Sequence, residues 1–164
     1  CAALLTHEQN APVQFQTSDA GRSSGITVGE KLMLLVRATV RRSQVHGLGL
    51  FAEEFILKGT VVWRFDGRVD RRYNEGQLVA LTEEEQERLR TFCYLNPRTR
   101  LYVYCGDNAR YINHSEEPNT KDLGFEEGVF EGEGITIAAR DIQPGEEILS
   151  DYRSFDADAR DGEI

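Results

Sequence analysis

The chain has 164 residues, a hydrophobic fraction of 40% and a formal net charge of −9. That length suits one domain with short flanks and a real core. The acid excess argues against nucleic-acid binding by bulk electrostatics; it either attracts basic peptides or only keeps the chain soluble. No apolar run is long enough to cross a membrane, so no membrane partner is expected. The three cysteines, Cys1, Cys93 and Cys105, form no CxxC pair. A disulfide framework is therefore not expected, and a reduced, intracellular compartment is: cytoplasmic in a bacterium, nuclear in a eukaryote. His7, His46 and His114 lie far apart in sequence, so no metal site is expected. The chain opens on Cys1 rather than Met, which reads as a processed or trimmed end. Oligomeric state is not legible.

Residues 1–30 are rich in polar residues and poor in periodicity, and read as an N-terminal arm. A domain is expected over 31–153, followed by a short acidic C-terminal tail over 154–164. Strands are predicted at Leu34–Val40, Leu48–Ala52 and Val61–Phe65, separated by glycine-containing turns and closed by Asp66-Gly67. Thr82-Glu83-Glu84-Glu85 is a capping box, with an acidic first turn suited to a helix N-terminus. It predicts a helix to about Tyr94, with Leu81, Leu89, Phe92 and Cys93 as its apolar stripe and Pro97 closing it. Strand-like stretches follow at Arg100–Cys105, Phe125–Glu131, Ile135–Ala139 and Glu147–Ser150. Many short strands with one clear helix predict a mostly-β domain with few helices.

Three stretches could carry chemistry. Gly47-Leu48-Gly49 permits close backbone approach to a ligand, or is a plain hairpin turn. No GxGxxG opens a helix there, so a dinucleotide site is disfavoured. Asn113-His114-Ser115 follows the apolar pair Tyr111-Ile112 and precedes a Pro118-Asn119 turn. Its donors and acceptors could read the edge of a heterocycle, or satisfy a turn. Tyr152 ends the run Glu147-Ile148-Leu149-Ser150-Asp151-Tyr152, as a packed aromatic or as a functional phenol.

In this order and spacing, His46–Ala52, Tyr111–Asn119 and Gly145–Tyr152 resemble the SET-domain protein-lysine methyltransferases. The resemblance runs from about Val36 to Tyr152. It implies small curved sheets with a C-terminal pseudoknot, a rare threaded topology. It implies S-adenosyl-L-methionine as cofactor, held by Gly47, Leu48, Gly49, Arg110, Tyr111, Asn113 and His114. Tyr152 takes the catalytic place. Phe65, Ser150 and Phe155 are the candidate substrate-channel residues.

Phe65 stands where the family shows a channel-lining Tyr, and reads either as part of that channel or as ordinary core at the end of its strand; Ser150 stands where the family often shows Phe or Tyr. Their combination predicts a roomier channel that permits more than one methyl transfer. Glu116 replaces the Cys that in the family often serves a zinc cluster. The implied reaction is methyl transfer to the lysine amine of a basic protein, such as a histone. The competing reading is an inactive SET-fold module that binds basic tails.

Overall fold

The computed structural model describes residues 34–124 and 132–161. The expected N-terminal arm, the strand-like stretch Phe125–Glu131 and the last three residues lie outside the described residues.

The first hairpin pairs β1 (Ala38–Arg42) with β2 (Leu48–Ala52), antiparallel, with Val40 opposite Leu50. Its turn is built by Ser43. The Ser43 hydroxyl accepts from the backbone N–H of Val45 (2.8 Å) and His46 (3.2 Å), and Ser43 N donates to Gly47 O (3.0 Å). Gly47 sits at φ +45°, a left-handed conformation that a side chain would disfavour. Among the described residues Leu34 joins a strand through an isolated bridge to Trp63, and β1 begins at Ala38, so the predicted first strand starts later than the apolar run suggests.

Four of the remaining strands are β3 (Val61–Arg64), β4 (Arg71–Tyr73), β5 (Cys93–Leu95) and β6 (Tyr102–Tyr104). The last four are β7 (Asn113–His114), β8 (Thr120–Asp122), β9 (Ile135–Ala138) and β10 (Leu149–Ser150). They form a sheet β3-β9-β8, a sheet β4-β6-β5 and a two-stranded pair β10-β7. Of these pairings only β7 with β10 is parallel among the described residues. The core joins the sheets through Leu50, Ile56, Val62, Phe65, Val103, Ile142 and Ile148.

The predicted capping box is present: Thr82 Oγ1 accepts from Glu85 N (3.3 Å) and Glu85 Oε2 accepts from Thr82 N (2.9 Å). The preceding helix, α1 (Glu75–Val79), is not predicted from the sequence, though Asn74 and Gln77 form a second capping box. At five residues it is too short to show periodicity. The helix that Thr82 starts, α2 (Glu83–Phe92), ends before Tyr94 because Cys93–Leu95 pairs with β6. Pairing with β6, not Pro97, stops it. The acidic C-terminal segment packs: a 3-10 turn at Tyr152–Ser154 leads into α3 (Ala157–Asp161), and Asp156 and Ala157 are buried. Asp156 Oδ1 accepts from Leu95 N (3.0 Å), which fixes this segment to β5.

Asn119, only 1% exposed, pins the C-terminal strand. Its Nδ2 donates to Glu147 O (2.7 Å), and its Oδ1 accepts from Leu149 N (2.8 Å). Asn119→Ala strands both backbone groups, and is expected to lower unfolding free energy by about 2–5 kcal/mol, measured by urea denaturation.

Candidate active site

The parallel pair β7–β10 brings distant stretches together. Leu149 lies opposite Asn113 and Ser150 opposite His114. Asp151 then caps the 3-10 turn, its Oδ1 accepting from Arg153 N (3.1 Å). This turn carries Tyr152 back over β7. Tyr152 N donates to His114 Nδ1 (3.2 Å), and the Tyr152 hydroxyl donates to Ile112 O (2.6 Å). His114 Nδ1 is thus an acceptor, which leaves the proton of a neutral imidazole on Nε2. The 3.8 Å approach of Asp151 to the same nitrogen is an ion pair only when that histidine is charged.

Asn113 reaches the opposite way. Its Nδ2 donates to His46 O (3.1 Å), Leu48 O (3.1 Å) and Glu147 Oε1 (2.9 Å). Two amide hydrogens serve three acceptors, so this nitrogen is committed to shaping the glycine turn. Gly49 is needed there for space: a Cβ would lie 2.1 Å from Glu147 Oε1. Val45 and Leu48, 51% and 50% exposed, form an open apolar rim on the turn. The stretch Gly47-Leu48-Gly49, the pair Asn113-His114 and Tyr152 are therefore linked in one hydrogen-bonded cluster.

Beside it lies a cavity of about 100 Å³, lined by Tyr152, Phe155, Tyr94, Phe92, Trp63, Arg110, Ile112 and Ser150, among others. Phe155 meets Tyr152 edge-on at 5.7 Å and Tyr94 at 5.2 Å. Ser150 is buried, with its hydroxyl 2.5 Å from that of Thr120. Phe65 does not join them. It is core, 2% exposed, with the Arg72 guanidinium 3.9 Å from its ring centroid. Trp63, not Phe65, is the aromatic that the β3 stretch places at the cavity. Arg110 donates to the Tyr104 hydroxyl (2.9 Å), and its buried Nε has no partner among the described residues. Tyr111 packs edge-on against Phe92 at 5.9 Å.

Burial governs the electrostatics. It pushes the Tyr152 phenol up to about 12, with Cys105 and Asp156 acting in the same direction. Cys93, also at the cavity, is raised to about 12 by burial and by Asp156, and Cys105 is raised by burial. Both thiols stay protonated at neutral pH and are poor nucleophiles.

Residues 47–153 match the SET domain. The chain belongs to the SET-domain family. It is 32% identical over 114 residues to human histone-lysine N-methyltransferase 2D, covering 68% of this chain and 2% of that protein. It is 35% identical over 122 residues to Arabidopsis thaliana histone-lysine N-methyltransferase ASHH3, covering 68% of this chain and 31% of the relative. It therefore spans under a third of the length of these two relatives. Among solved structures, an inhibitor-bound humanized mutant of Chaetomium thermophilum Polycomb Repressive Complex 2 aligns with a TM-score of 0.56 at 25% identity. That alignment covers 79% of this chain and 17% of the other.

The small sheets are those of the SET fold, and the parallel β7–β10 pair joins its Asn-His segment to the C-terminal strand. Three residues at or behind the cavity escape sequence reasoning. Trp63 and Tyr94 read as ordinary strand and helix-end aromatics. Glu133 sits in a glycine-rich stretch that reads as exposed turn, yet it is fully buried. Only its three partners reveal why: Arg72, Tyr94 and Asn96 all converge on it.

Gly49→Ala forces the Glu147 carboxylate off Asn113. Losing that charge-assisted bond is expected to cost about 1.5–3 kcal/mol, read as a lower denaturant midpoint. Gly59→Ala provides a comparison for strain without a clash: its turn has φ +84°, and none of the described residues lies within 4 Å of where a Cβ would sit.

Proposed function

We propose that this SET domain transfers methyl groups from S-adenosyl-L-methionine to the side-chain amine of lysine in a basic protein such as a histone. The carrying observation is one contiguous arrangement. The Tyr152 phenol lies at an aromatic cavity, and its own backbone is bonded to the histidine next to the asparagine that shapes the glycine turn.

The turn residues Gly47, Leu48 and Gly49, with Asn113 and His114, fit the cofactor. The apolar rim is open, the backbone is held from behind, and Glu147 puts negative charge next to it, which suits a cation. Arg110 lies instead at the neighbouring cavity, and Tyr111 packs against Phe92. When bound, S-adenosyl-L-methionine supplies an electrophilic methyl on a cationic sulfur, which the lysine nitrogen takes as the thioether leaves. Every remaining requirement falls on the chain itself.

A lysine is charged at neutral pH and cannot attack in that form. The wall formed by Phe92, Tyr94, Phe155 and Trp63 disfavours the ammonium by desolvation, so its proton is lost to solvent. Tyr152 stays protonated and acts by orientation, its hydroxyl anchored on Ile112 O. Holding the reactants in line supplies much of the acceleration. Ser150, a small side chain in the cavity wall, leaves room that favours products beyond monomethyl-lysine. Phe65 contributes nothing to that room. The acidic surface, with a net charge of −9, favours basic sequence around the target lysine.

Labelled methyl transfer to a panel of histones and other basic proteins, read by mass spectrometry, tests the reading. Di- or trimethyl-lysine is the expected product; no transfer to any basic protein, with cofactor bound, would leave a binding module instead. Tyr152→Phe is expected to lower turnover by about 10²-fold or more while cofactor affinity by calorimetry stays within about twofold.

The pH dependence has a definite sign. Burial favours the neutral phenol, so activity should rise with pH as the lysine loses its proton, without a descending limb from Tyr152 below about pH 10. A fall in kcat near pH 8 would argue against Tyr152 acting as a neutral phenol.

A further inference from the structure

Glu133 is a buried carboxylate that the reaction above does not use. It is 0% exposed, and both of its oxygens are engaged. Oε1 accepts from Arg72 Nε (2.8 Å). Oε2 accepts from the Tyr94 hydroxyl (2.8 Å) and from Asn96 Nδ2 (2.6 Å). These partners come from β4, from β5 and from the residue that follows β5. A buried carboxylate is tolerated only when its acceptor sites are filled, and here one cation and two neutral donors fill them.

The consequence reaches the cavity through Tyr94. That ring lines the wall, but its hydroxyl is turned onto Glu133. A phenol thereby presents carbon rather than oxygen to the space where the amine must lose its charge. From Tyr94 a stack of rings runs to the catalytic position. Tyr94 meets Phe155 at 5.2 Å and 84°, and Phe155 meets Tyr152 at 5.7 Å and 62°. Edge-to-face pairs transmit position, because each ring has a preferred offset against the next.

We propose that Glu133 is a positioning residue: by taking the Tyr94 hydroxyl it keeps that wall apolar and holds the Tyr94–Phe155–Tyr152 stack in register for methyl transfer. This rests on the methyltransferase reading. The acid does not touch the reacting atoms, and its effect passes through two rings. Asp156, another buried carboxylate at the cavity, is taken up by backbone N–H groups of Leu95 and Asp158, and does not meet the Tyr94 hydroxyl.

Tyr94→Phe deletes only the tether and keeps the ring. It is expected to lower kcat about three- to tenfold, with cofactor Kd and peptide KM within about twofold of wild type. Glu133→Gln keeps an acceptor oxygen and should retain more activity than Glu133→Leu, which keeps none. Trp63 gives a readout independent of turnover, since it is the one tryptophan in the chain and lines the same cavity. Acrylamide quenching of its fluorescence should rise in Tyr94→Phe as the wall loosens.

Wild-type turnover in Tyr94→Phe together with unchanged Trp63 quenching overturns the proposal. So does a lowered melting temperature in both Glu133 variants with kcat preserved, which would make Glu133 structural only. If the wild-type protein transfers no methyl group to any substrate, the methyltransferase reading fails. Trp63 quenching in Tyr94→Phe then decides on its own whether Glu133 holds the wall, and unchanged quenching overturns it.

Discussion

The short parallel pairing of Asn113-His114 with Leu149-Ser150 is the constraint from which the site follows. Two residues of strand are too few to hold by ladder bonds alone. Two buried asparagines reinforce them. Asn119 binds the backbone of Glu147 and Leu149, and Asn113 binds the glycine turn and the Glu147 side chain. Glu147 is therefore held on both its backbone and its carboxylate. Buried side-chain amides of this kind are costly to leave unpaired, so the arrangement closes in one way only.

That closure sets the chemistry. Once β10 lies beside β7, the Asp151-capped turn has one direction to follow, and it delivers Tyr152 over Ile112. The phenol enters a wall of rings where burial holds it neutral. In the proposed reaction the same apolar wall favours an uncharged amine, so one environment would keep the tyrosine protonated and encourage the lysine to lose its proton. The cysteines at the same cavity are silenced by the same burial.

In its proposed positioning role, Glu133 bears on Tyr152 without facing the substrate. Its carboxylate removes a hydroxyl from the cavity surface and fixes the outermost ring of the stack. Arg72, which neutralises it, also lies on the face of Phe65, so of the two readings of that aromatic, channel or core, the structure has core.

Local signals are legible wherever the physics is local. The Thr82/Glu85 capping box, the Gly47 turn, the strand at Leu48–Ala52 and the mostly-β class all follow from neighbouring residues. The order of the glycine turn, the Asn-His pair and the terminal tyrosine points to the family. The end of α2 at Phe92, the exclusion of Phe65 from the cavity, the entry of Trp63 and the burial of Glu133 are not legible. Each depends on which strand pairs with which, and on which side chains that pairing turns inward. Those choices are settled by partners far away in the chain, such as β6 for Arg72, β9 for Trp63 and Tyr94 for Glu133, and no local pattern encodes them.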